Sequence, residues 1–210
     1  MQVGALTSSA LSGLTASQVK ELSVSTLTSL STQQLSGLTS TQTQALTAAQ
    51  VRGLSTTQLN SLQESQIQGI DAADIAGLTA TTVKALSSEQ IGKLSSSKVG
   101  ALTLTQIKAL SATQVGALTS SNVTGLVTSQ VSALSATQIQ ALTTSAVGAL
   151  STGLVNALSA TQVGSLTTAQ VQSLSTSTVG GISTTNLKAL TAAQVSVLTT
   201  AAVAQLSTSQ

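Results

Sequence analysis

Apolar residues recur along this chain at alternating spacings of three and five, which defines a fixed period of eight. Lettering the octad a to h from Leu6, position a runs from residue 6 to residue 206 in twenty-six copies, all Leu except Ile70 and Ile182. Position f is Val, Ile or Leu except at Thr43, and position b is Ser or Thr except at Gln63, Asp71 and Val127. Position e is Gln in fifteen copies, h is usually small, and g is the most variable. Self-similarity at a short fixed period marks a repeat architecture, in which each unit buries its apolar side only against its neighbours.

Three foldings compete for this pattern. A continuous helix fails, because eight residues at about 100° each carry position a around the cylinder by about 80° per copy and leave no steady apolar face. A chain of very short helices, one per octad, gives every restricted position a role. With b as N-cap, e is the third helical residue, and Ser/Thr-x-x-Gln is a capping box. Leu at a and Val at f then stand at the two positions that form a hydrophobic staple. The small residue at h lets the chain turn, and Gly13, Gly37, Gly53 or Gly125 offers φ > 0 there. A β-solenoid is the alternative, favoured by β-branched content. Against it, odd spacings send Leu and Val to opposite faces of a strand. The expectation is an all-α solenoid over residues 1–210, a single array whose octads are too short to fold alone.

Composition narrows the chemistry. The chain has no Phe, Tyr, Trp, Pro, Cys or His, so its core must be repeated thin layers of Leu, Val, Ile and Ala. Disulfides, thiolate metal sites and imidazole bases are absent. Seven basic and five acidic residues provide no clustered cations for phosphates, and aromatic platforms for bases are missing, which argues against nucleic acid. No apolar run approaches the roughly eighteen residues of a membrane helix, and no leader precedes the repeats. No catalytic, cofactor-binding or metal-ligating residue is assigned.

The departures from consensus read as structural. Asp71 and Asp74 could be paired carboxylates, but they fall at b and e, where Asp caps a helix and stands in for the capping-box Gln. Lys84, Lys93, Lys98 and Lys108, with Glu89, read as a solvated surface. Residues 109–187 carry no charge, which favours lateral packing. Asn122-Val123-Thr124 matches a glycosylation pattern that arises easily by chance in so Thr-rich a chain. Val127 removes one cap and Thr43 one staple.

The runs Ala-Leu-Ser-Ala-Thr-Gln-Val-Gly-Ala-Leu-Thr (109–119) and Ala-Leu-Thr-Ala-Ala-Gln-Val (45–51) resemble the octapeptide arrays of very large bacterial exported or surface proteins described as adhesin-like. The Leu-Thr-x-x-Gln core also looks like the motif of a periplasmic stress-chaperone family, from which only its helix-start character carries over. The first resemblance implies an extracellular spacer, stalk or filament-forming segment. The competing expectation is a ligand-binding array presenting Ser/Thr ladders to carbohydrate or ice; against it, position c mixes Ala16, Val24, Glu64 and Leu104. Gln2 and Val3 are already in phase and Gln210 falls in mid-copy, so the chain reads as part of a longer array whose open coils associate end to end.

Overall fold

A computed structural model describes residues 7–210; Gln2 and Val3 lie outside them. Twenty-five helices of four to six residues follow one another among the described residues, from α1 (Ser8–Ser12) to α25 (Thr200–Val203), one per octad and in strict phase. The chain is therefore an all-α solenoid, as the cap pattern predicts.

Most helices begin as their sequence dictates. In α2 (Ala16–Lys20) the Thr15 hydroxyl accepts the N–H of Gln18 at 3.2 Å, and the Gln18 carboxamide oxygen accepts the N–H of Thr15 at 2.8 Å. The same reciprocal pair opens α6 (Ala48–Gly53) through Thr47 and Gln50. Each helix then stops after barely more than a turn. The next Leu adopts an extended backbone, as Leu54 does at φ −63° and ψ 135°, and leads into the following cap.

That exit overturns one expectation. No described residue, Gly included, has positive φ, because an αR residue followed by an extended Leu reverses the chain without a left-handed position. The glycines serve close approach instead. A Cβ on Gly92 would lie 2.7 Å from the Ala117 carbonyl oxygen, and one on Gly125 would run into the Ser96 carbonyl. Missing side chains at g and h thus let successive coils touch backbone to backbone.

The apolar positions form one continuous core. Position f lies at its centre, with Val51, Val83, Val115 and Val147 fully buried, and position a closes the layer around it through residues such as Leu86 and Leu118. Stacking is regular: α6 packs on α3 (Val24–Thr28) below and on α9 (Ala72–Ala76) above, three octads away in each direction. Side-chain to backbone hydrogen bonds between coils join residues 25, 27, 28, 30 or 31 apart. One coil therefore holds between three and four octads, about 28 residues. Since about 28 is not a multiple of eight, each helix stands over a junction between helices of the coil beneath, like staggered brickwork.

Candidate functional site

The residue that binds coil to coil is the glutamine at e. Gln50 uses its oxygen to cap its own helix, and its Nε2 donates to the carbonyls of Val19 at 3.0 Å and Leu22 at 2.8 Å in the preceding coil. The arrangement recurs in columns. Gln106 reaches Ile75 and Leu78, Gln138 reaches Ile107 and Leu110, and Gln170 reaches Ile139 and Leu142. Gln130, Gln162 and Gln194 form a second column on Val99, Val131 and Val163. These carboxamides are buried, and no buried side-chain polar atom among the described residues lacks a partner. The Val19 carbonyl already accepts the N–H of Leu22 at 3.1 Å, so the glutamine adds a second bond there and supplies a donor to the Leu22 carbonyl, which burial would otherwise penalise.

Capping alone requires only an acceptor at e, so the sequence reading missed this second bond. A signal was present nonetheless. Glutamate fills the acceptor role in a capping box as well as glutamine does and suits a helix N-terminus better, yet it never occurs at e in this chain. A side chain with both an acceptor and a neutral donor can make both bonds at once.

Two charged residues occupy e, and both depart from expectation. Lys98 is 9% exposed rather than on a solvated face, and its ammonium donates to the Gln68 carbonyl in the preceding coil. It replaces the glutamine donor at that rung. Burial lowers its pKa, partly opposed by the charge of Asp71. Asp71 stands at the cap of α9, but its carboxylate makes no cap bond, and Asp74 does not complete the box. Length is not the reason, because Asn122 has the same reach and accepts the N–H of Thr119 at 2.8 Å. The two carboxylates repel each other. Burial and then Asp71 raise the pKa of Asp74, against the opposing pull of Arg52.

The other departures are absorbed locally. Val127 offers no cap, but Gln130 still accepts its N–H at 2.9 Å. Thr43 is buried at f with its hydroxyl on the Ser40 carbonyl at 2.9 Å. Asn122 is 3% exposed and its amide donates to the Leu94 carbonyl, so folding closes the glycosylation pattern. Lys93 pairs across coils with Glu64 at 3.2 Å, and both side chains are largely exposed. Exposed pairs of this kind contribute little.

Among the described residues no three His, Cys, Asp or Glu side chains gather where they could share a metal ion, and no helix is long and apolar enough to cross a membrane. The clefts are shallow spaces between coils. One with acidic lining, about 480 Å³, lies against Lys20, Leu46, Asp71 and Asp74. Comparison with known families agrees with the periodicity: a family model described as the ALTTAQ repeat matches residues 67–104. No curated protein matches the chain. The chain is thus a tandem-repeat solenoid, and part of it is similar to ALTTAQ repeats.

Proposed function

We propose that this chain is a structural, non-catalytic repeat segment that serves as a spacer, stalk or filament-forming region of a bacterial surface or secreted protein. The observation that carries the reading is the glutamine column. Its amides are buried between coils and hold them to one another, so the most restricted polar position serves length and register. The surface supports the same reading: it is rich in Ser, Thr, Gln and Ala and uncharged over 109–187.

Self-association end to end belongs to this proposal. Within the array position f is almost wholly buried, whereas in the last coil Val195 and Val203 are each 46% exposed. A further coil, from a continuing chain or a second copy, would cover them as internal coils cover Val163 and Val171.

Small-angle scattering against concentration tests both parts. At about 28 residues per coil, 210 residues make about seven coils. At the usual 8–10 Å between packed helices, the rod would be about 60–70 Å long. The proposal expects a rod of that length when dilute and lengthening without thickening as concentration rises. A compact globule overturns the spacer reading, and a rod of constant mass overturns only the association.

A further inference from the structure

At one rung a carboxylate stands where the neighbouring rungs of its column carry an amide, and the residue it faces in the coil beneath also departs from consensus. Between Gln42, which donates to Leu11 and Leu14, and Gln106, which donates to Ile75 and Leu78, the same column passes through Asp74. By the spacing of its neighbours Asp74 should serve Thr43 and Leu46. It makes no such bond, and Thr43 is the one polar residue at position f. Both departures therefore fall on a single contact between coils. Asp74 and Leu46 line the same cleft of about 480 Å³. A carboxylate and a carbonyl are both acceptors, so in the ionised state this contact has no proton to share.

We propose that Asp74 is an acid-closed latch between coils: its carboxyl, once protonated, donates to the Leu46 carbonyl the hydrogen bond that an amide donates at neighbouring rungs. Reach is established within the molecule. Asn122 has the same skeleton at the same position and donates to the carbonyl of Leu94, 28 residues back, as Leu46 is from Asp74. The charged groups around the latch are few. Asp71 lies at the start of α9, Arg52 on α6 below, Lys98 on α12 (Ser96–Ala101) above, and Lys20 across the cleft. Burial and Asp71 favour the proton on Asp74, and Arg52 disfavours it. The folded state thus holds this proton more tightly than the unfolded chain, whose carboxyl titrates near 3.8. The stabilisation is complete below that value and fades as pH rises through the higher folded value. At neutral pH the contact between α6 and α9 is the looser one, and acid tightens it. This device is independent of the chain's role as a spacer.

Hydrogen exchange on the whole chain at pH 4 and pH 7, corrected for intrinsic rates, tests the latch on residues 46–51, the coil that carries the acceptor. In the native sequence, protection there should be several-fold higher at pH 4. Asp74→Asn keeps a donor at every pH and should hold the higher protection at both, with Tm at pH 7 raised by about 2–4 °C. Asp74→Ala relieves the repulsion but supplies no donor. Its protection over residues 46–51 should stay at the low level at both pH values. Equal protection in Asn and Ala variants would reduce the effect to charge relief and overturn the latch, as would an Asn variant that keeps the native pH dependence.

Discussion

The carboxamide of Gln114 faces two ways: its oxygen accepts the N–H of Ser111 at 2.8 Å, while its nitrogen donates to the carbonyl of Leu86, 28 residues earlier, at 2.7 Å. The first bond starts a helix and the second ties that helix to the coil beneath. Local structure and long-range stacking thus depend on the same side chain, which explains why helices of only four to six residues persist. Alone, each would lack both the length and the buried face that stabilise a helix.

Exchanging this one amide separates the two roles. Gln114→Glu keeps the cap acceptor but turns a donor into a buried carboxylate facing the Val83 and Leu86 carbonyls. It should destabilise the fold by about 2–4 kcal/mol at pH 7, more than the neutral loss of a hydrogen bond, and recover in acid as the carboxyl regains a proton. Urea unfolding of native and variant chains at pH 7 and pH 4 reads the difference. A variant as stable as the native chain at pH 7 would mean that the cross-coil bond contributes nothing.

Faces can be checked by truncation. Leu110 is 4% exposed at position a, so Leu110→Ala should cost about 2–5 kcal/mol, whereas Lys108→Ala, on the exposed face at g, should fall within about 0.5 kcal/mol of native. Equal losses in denaturant unfolding would mean that the inward and outward positions are interchanged.

The glycines divide by what lies opposite them. Gly125→Ala would drive a methyl group into the Ser96 carbonyl and force two coils apart, a loss of about 1–3 kcal/mol. Gly153 lies inside a helix with open space around it, so Gly153→Ala should stabilise by about 0.5–1 kcal/mol. Thermal unfolding of the two variants should shift in opposite directions. Parallel shifts would remove close coil approach as the reason for glycine at h.

Lys98 offers a test by pH. Its folded pKa is lowered by burial, so its contribution rises as pH climbs from that lowered value toward the ordinary 10.5 and the ammonium loses its charge. Lys98→Gln, which restores the consensus donor without a charge, should be more stable than native at pH 7. The difference should narrow in the alkaline range, as followed by urea titration. A variant less stable at pH 7 would show that the ammonium's bond to the Gln68 carbonyl outweighs the burial of its charge.

Much of this was legible in the residues. Ser or Thr at b, Gln at e, Leu at a and Val at f place the start of each helix and its buried side without reference to the rest of the chain. What lies between coils was hidden, because the pairs Gln50 with Leu22 and Gly92 with Ala117 are set by the number of octads per coil. That number follows from the turn angle between helices, which the period of eight does not encode. Lys98 was misplaced for the same reason: charge suggests solvent until its position is known to face another coil. The failure of Asp71 to cap reflects a pairwise repulsion with Asp74 that single-position preferences do not contain.

The central claim is that coils of three to four octads stack directly on one another, and a cross-link tests it most directly. A Cβ on Gly116 would lie 3.9 Å from the Cβ of Ala141, 25 residues on and in the next coil, and 2.9 Å from the Ala141 carbonyl oxygen, so the two coils must give by a few tenths of an ångström to admit it. The separation of the two Cβ atoms suits a disulfide, and the chain contains no other cysteine. In the double variant Gly116→Cys with Ala141→Cys, mild oxidation should close one intramolecular disulfide nearly completely, read by mass and by thiol titration. The control Gly116→Cys with Ala133→Cys is closer in sequence but two octads around the same coil, and it should remain reduced. Closure of the control in preference to the 116–141 pair would contradict the stacked-coil solenoid.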